Sequence, residues 1–273
     1  MTRRVLPGFR LSLGITLVYA AIIIMLPLAA LIFKAASLGP SDYWRIVSSE
    51  RAVASYMVTV GSALIATLFN LVFGLALAWV LVRYRFPGRR IIDALVDLPF
   101  ALPTAVAGIS LTTLFAANGW FGAALSEIGI KVAYTPLGIM IAMAFTSLPF
   151  IVRTVQPVLE ELDPALEEAG QTLGAGDWSI FGRVVLPLLT PALLAGTSLA
   201  FARSLGEFGA IIFIAGNQPF ETEITALLAF IRLEEYEYPA AAAIASVMLL
   251  AAFLMLAVTN FLQARALRYT VKG

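Results

Sequence analysis

Two stretches of this 273-residue chain carry polar residues at spacings that chemistry could use. The first is residues 167–187, EEAGQTLGAGDWSIFGRVVLP, where carboxylates and glycines interrupt strongly apolar sequence and end on Leu-Pro. Just ahead of it Asp163 suits an N-cap and Pro164 a first turn, with Glu167 near the positive end of a short helix. Ala165, Ala169, Thr172 and Leu173 form its less polar side, and Gly174 and Gly176 suit a C-terminal cap and tight turn. The small Ala169 and Gly170 predict close approach by another protein's surface. A solvated acidic surface helix fits the same pattern, and spacing alone does not choose. The second stretch is SLAFARSLGEFGAIIFIAGN, where Arg203 and Glu207 stand four apart on one helical face. A charge near a bilayer centre costs about 2.5–3.5 kcal/mol on insertion scales, so two of them need a reason. Either they neutralise each other and fix helix packing, or they line a polar path or gate. Gly206 and Gly209 permit close helix contact in both cases, and Thr197, Ser198 and Ser204 offer weak, exchangeable hydrogen bonds.

What the chain lacks bounds the chemistry further. With no cysteine and no histidine it has no disulfides, thiolate zinc sites, cysteine nucleophiles or histidine-dependent triads. A Walker A loop needs Gly-Lys followed by Ser or Thr, but Lys34, Lys131 and Lys272 precede Ala, Val and Gly. The glycines of GAGDWS lack the third glycine and the preceding strand of a dinucleotide site. The chain is therefore not expected to hydrolyse ATP, and nothing in its apolar runs points to an integral membrane enzyme. A net charge of +1 and a pI near 8.0 leave no nucleic-acid footprint.

The elements that must position these stretches belong to a membrane protein. Hydrophobic residues make up 60% of the chain, charged residues 13%, and mean hydropathy is +0.92. Crossing a core of about 30 Å takes about 20 helical residues. Apolar runs of that order fall at 11–33, 54–82, 91–115, 136–152, 190–215 and 240–262, an all-α architecture with six expected spans. The first run exceeds the roughly 7–15 residues of a signal-peptide core, so an uncleaved span is expected. Arg3, Arg4, Arg10, Arg83, Arg85, Arg89, Arg90, Arg153, Arg183, Arg265, Arg268 and Lys272 then fall on one side. The other side is acidic, with Glu221, Glu223, Glu234, Glu235 and Glu237. Positive charge marks the cytoplasmic side, so both termini and residues 167–187 are expected inside.

The connection after the fourth run is about 37 residues long, and long connections usually carry function. In the third run, DALVDLPFALPTAVAG, Pro99 and Pro103 should kink or break the helix, which membranes tolerate where backbone is buried or lines a cavity. Asp93 and Asp97 read as snorkelling or capping at the cytoplasmic edge, and Thr104, Ser110, Thr112 and Thr113 as candidates to face a path. The apolar patch 224–231 is too short to cross and reads as an outer re-entrant or interfacial helix.

EAGQTLGAGDWSIFGRVVLP resembles the signature of binding-protein-dependent ABC importer permeases: Glu-Ala-Ala, three residues, Gly, nine residues, then Ile-x-Leu-Pro. Glu168, Ala169, Gly174, Leu186 and Pro187 fit it, while Gly170 stands for the second Ala and Val184 for Ile. The resemblance implies a type I importer permease fold and a coupling helix at 165–176 that seats in an ATP-binding subunit. FARSLGEFGAIIFIAGN with EYPAAAAIASVMLL is similar to the T-type sulfate/thiosulfate permeases. SLGEFG is shared with molybdate permeases, so a molybdate or tungstate permease is the alternative, and a non-conducting membrane scaffold the alternative of another class. The implied assembly is an inner-membrane heterodimer with a W-type permease, two ATPase subunits below and a periplasmic sulfate-binding protein above. ATP and its magnesium would sit on the ATPase, with no cofactor or metal on this chain. The implied division is an N-terminal span and outer loop at 1–53, the permease domain at 54–262 and a cytoplasmic tail at 263–273. Coupling falls on Glu168, Ala169, Gly170, Gly174, Leu186 and Pro187, and a path or gate on Arg203, Ser204, Glu207, Thr104 and Ser110.

Overall fold

The computed structural model describes residues 8–270, and every regular element among them is a helix. α1 (Leu11–Ala36) leads through α2 (Pro40–Val47) to α3 (Glu50–Arg83). Next come α4 (Arg89–Val96), α5 (Leu98–Ala101), α6 (Thr104–Phe115) and α7 (Trp120–Glu127). They are followed by α8 (Pro136–Glu161), α9 (Pro164–Thr172), α10 (Asp177–Leu205), α11 (Ile211–Ile214), α12 (Thr225–Glu234) and α13 (Tyr238–Thr270). Five of these, α1, α3, α8, α10 and α13, are long and apolar enough to cross a membrane. Arg3, Arg4 and Lys272, used above for orientation, lie outside the described residues.

Packing follows the rules of lipid rather than water. Ala52, Ser55, Thr59, Ala63, Ala66, Asn70, Gly74 and Ala78 recur every three or four residues along the buried face of α3. Leu64, Ile65, Leu68, Phe69, Val72 and Phe73 of the same helix point outward. Lipid tails are as apolar as leucine, so helices gain by close van der Waals fit and interhelical hydrogen bonds, which small residues allow. Asn70 donates through Nδ2 to the Ala144 carbonyl at 2.8 Å and to Ser147 Oγ at 2.9 Å, tying α3 to α8. At the other end of α3, Arg51 grips Glu223 with two bonds (2.8 and 2.6 Å), which fixes the segment leading into α12.

Three expected spans change. The run 91–115 is three short helices: Asp97 precedes α5, whose first turn holds Pro99, and Pro103 keeps Leu102 extended at ψ 134 before α6. The break expected at the prolines is complete. The fourth span, expected at 136–152, continues to Glu161 despite Pro149 and Pro157. The fifth, expected at 190–215, runs instead from Asp177 to Leu205. Pro187 and Pro191 do not mark its start, because a wide π-type turn at Phe181–Val185 precedes them. Such turns let a helix pass a proline by loosening the ladder where its N–H is missing. α1 does the same at Ala21–Met25, just before Pro27. With both neighbours extended, the connection of about 37 residues shrinks to residues 162–176. The apolar patch at 224–231 lies in α12, a separate ten-residue helix.

Candidate functional site

The segment from Asp163 to the start of α10 is built as two helices and a cap. Asp163 opens α9, its Oδ1 accepting from the Ala165 N–H at 2.9 Å, with Pro164 in the first turn. The helix closes in a Schellman arrangement: Gly174 N–H donates to the Gln171 carbonyl and Ala175 N–H to that of Gly170, at 2.9 and 3.1 Å. Gly174 takes φ +78, which only glycine adopts without strain. Gly176 then precedes α10 in extended backbone. Glu168 and Ala169 are exposed, and Glu168 makes no side-chain hydrogen bond among the described residues. Leu173 and Trp178 are each 88% exposed, an apolar tip on an otherwise polar loop.

Gly170 also serves the packing of the loop itself. A β-carbon there would lie 3.0 Å from Ile180 Cγ1, so the small residue lets α9 close on the start of α10 of this same chain. Glu167 pairs with Arg83 at the end of α3, and Arg83 lies over the Trp79 ring, 5.3 Å from its centroid. Trp79 meets Phe181 edge-on at 5.4 Å, which completes a brace between the loop and the bundle. Leu186 is half-buried and Pro187 exposed, both inside the continuous helix α10. The two ends of the signature thus sit on adjoining helices.

The second cluster lies where two breaks meet. Arg203 and Glu207 pair across the end of α10, Nη1 to Oε2 at 2.7 Å. The contact is ionic rather than a well-aligned hydrogen bond, since no N–H points at Oε2. The Glu207 side chain is 1% exposed and that of Arg203 31%. Glu207 Oε1 accepts from the Ala210 N–H at 2.9 Å, so the carboxylate also caps the irregular turn leading to α11. A β-carbon on Gly209 would overlap the Thr104 side chain, and one on Gly108 would overlap the Ala210 backbone. The break before α6 and the break after α10 are therefore pressed together, with the ion pair beside them. Ser204 is fully buried, and its hydroxyl finds no partner among the described residues. Ser110 is exposed further along α6. Thr112 and Thr113 return their hydroxyls to the Gly108 and Ile109 carbonyls at 2.7 and 2.9 Å.

Sequence reasoning missed the partners of three arginines: Arg51 with Glu223, Arg83 with Glu167, and Arg153 with both Asp93 and Asp97. Asp93 and Asp97 are thus counter-charges rather than snorkelling or capping groups. Their i, i+4 spacing was the one available signal, since it puts both carboxylates on one side of a helical turn.

Residues 70–268 match the family described as binding-protein-dependent transport system inner membrane component. The sulfate transport system permease protein CysT of Escherichia coli K12 is 59% identical, across 97% of this chain and 95% of that protein. Its namesake in Synechocystis is 48% identical, across 93% and 89%. The fold is also that of the bacterial alginate ABC transporter, solved in complex with an alginate pentasaccharide-bound periplasmic protein: TM-score 0.77, 19% identity, 94% of each chain.

Proposed function

The chain belongs to the binding-protein-dependent transport system inner membrane components, and from that premise we propose that it is the T-type permease subunit of an ATP-driven sulfate importer. The observation carrying this reading is the 59% identity to a sulfate permease across almost the whole of both chains. The permease itself is not an enzyme. It sits in the inner membrane with both termini inside, paired with a second permease, two ATPase subunits and a periplasmic binding protein, and thiosulfate is a second cargo. The structural neighbour solved with its loaded periplasmic protein supports a binding-protein partner in general.

The geometry supplies a mechanism. α9 and the start of α10 offer the ATPase a rigid, capped projection carrying Glu168 and Ala169 at its surface, stiffened by Gly170, Gly174, Leu186 and Pro187. ATP binding at the partner draws that projection inward. The motion reaches the paired breaks at Thr104 and Gly209 through α8 and α10, and opens the path outward. There Arg203 gives the dianion transient attraction while Glu207 keeps it from being trapped. Ser110 faces the path, and the buried, unpartnered hydroxyl of Ser204 lies beside the pair as part of the gate. Acidic outer loops suit cargo delivered by a carrier, since they repel a free dianion.

The test is ATP-dependent uptake of radiolabelled sulfate by the complete complex in liposomes, with unlabelled molybdate as competitor. Sulfate uptake that molybdate barely inhibits is expected. Molybdate uptake in its place would overturn the cargo, and transport of neither would overturn the permease reading.

A further inference from the structure

We infer that Arg153 transmits movement of the docking loop to the break before α6. This rests on the reading of α9 as the ATPase-docking helix and extends it to residues in no signature. A guanidinium has five N–H donors, and all five of Arg153 are used. Nε donates to Asp97 Oδ1 (2.8 Å), and Nη2 to Asp97 Oδ2 (2.7 Å) and the Asp93 carbonyl (2.8 Å). Nη1 donates to Asp93 Oδ1 and to Gln156 Oε1, both at 2.7 Å. A bidentate, planar grip of this kind fixes direction as well as distance. Phe100 of α5 adds an edge-on contact with Phe150 of α8, with centroids 5.2 Å apart. α4 and α5 therefore ride on α8 as one body.

Followed outward from this clamp, the chain leads to both functional regions. Beyond Ala101 only Leu102 and Pro103 separate α5 from Thr104, which packs on Gly209 beside the buried pair. In the other direction α8 runs on to Glu161, and Leu162 and Asp163 lead into α9. Arg153 lies midway between Pro149 and Pro157, each of which removes a ladder bond and leaves a weak point in the rod. A rod jointed on both sides keeps its aim only if it is tied between the joints. The side chains of Arg153, Asp93 and Asp97 are 30%, 39% and 50% exposed, and ion pairs so open to water add little stability. What the clamp does supply is a fixed angle, which is what a transmitting part needs.

The chain has no cysteine, so spin labels can be placed at chosen sites without background. Labels at Ile109 on α6 and Met57 on α3, both exposed, report whether α6 moves when ATP is trapped in the full complex. In the wild type the label distance is expected to change. In Arg153→Lys, which keeps the charge but loses the fork, that change is expected to vanish. ATP hydrolysis should stay within about twofold and cargo moved per ATP fall about tenfold. Should Arg153→Lys fail to assemble, Asp97→Asn, which keeps one acceptor of the bidentate pair, carries the same test with a partial effect. A distance change that survives both substitutions would overturn the inference, as would no change in the wild type. So would hydrolysis and uptake falling in proportion. A wild-type complex that carries no sulfate would instead overturn the proposed cargo, because the labels report motion whatever is transported.

Discussion

At Gly170 a missing side chain holds two helices together, and the sign of a substitution there depends on size. Gly170→Ala puts a methyl 3.0 Å from Ile180 Cγ1, a side-chain atom that can give way, while gaining about 1 kcal/mol of helix propensity. Uptake within about twofold of wild type is expected, because the small overlap and the gain offset each other. Gly170→Leu wedges α9 from α10, and uptake should fall more than about tenfold as the ATPase subunits cease to copurify. At the buried pair, Arg203→Ala strips the Glu207 carboxyl group, at 1% exposure, of its counter-ion, an expected cost of about 3 kcal/mol. The double change Arg203→Ala/Glu207→Gln should recover much of that, since an amide oxygen can still accept from Ala210 N–H. Thermal unfolding of the purified complex decides it, and equal losses in single and double variants would refute the pair's electrostatic role.

Helices rather than residues carry the next prediction. α6 and the turn after α10 touch through Gly108 and Ala210, with no space for a β-carbon between them. Gly108→Ala must push the two breaks apart, so an expected destabilisation of about 1–3 kcal/mol should appear as a lower melting temperature. A melting temperature equal to wild type would mean the breaks are not in contact in the assembled protein. How far these elements were legible in sequence varies with the physics behind them. α9 could be read from Asp163, Pro164 and Gly174, because caps and turns are local chemistry. The break at Pro103 could be read for the same reason. The true extent of α10 could not, because Pro187 and Pro191 predict a boundary and only the π-type turn ahead of them removes it. The arginine partners were equally hidden, since Arg153 lies 56 and 60 positions from its carboxylates and no periodicity spans that separation.

For the molecule as a whole, the absence of cysteine makes orientation directly measurable. A single cysteine at Leu173, on the docking loop, is expected to react with a membrane-impermeant reagent only when the cytoplasmic face is open. One at Phe220, exposed in the loop before α12, should react only from outside. Labelling of both from one side would overturn the charge-based orientation. α10 also joins the two functional ends in one unbroken rod, from Asp177 beside the docking loop to Leu205 beside the ion pair. The wide turn at Phe181–Val185 amounts to one extra residue in that rod, taken up without changing its angular phase. Deleting Val184 would restore an ordinary helix and leave the chemistry of every other residue untouched. Because the wide turn already absorbs that residue, everything beyond would keep its direction relative to α9. Deleting Leu194 instead, in ordinary helix, would turn Ser204 and Glu207 out of the core together by about 100°, although neither had been altered.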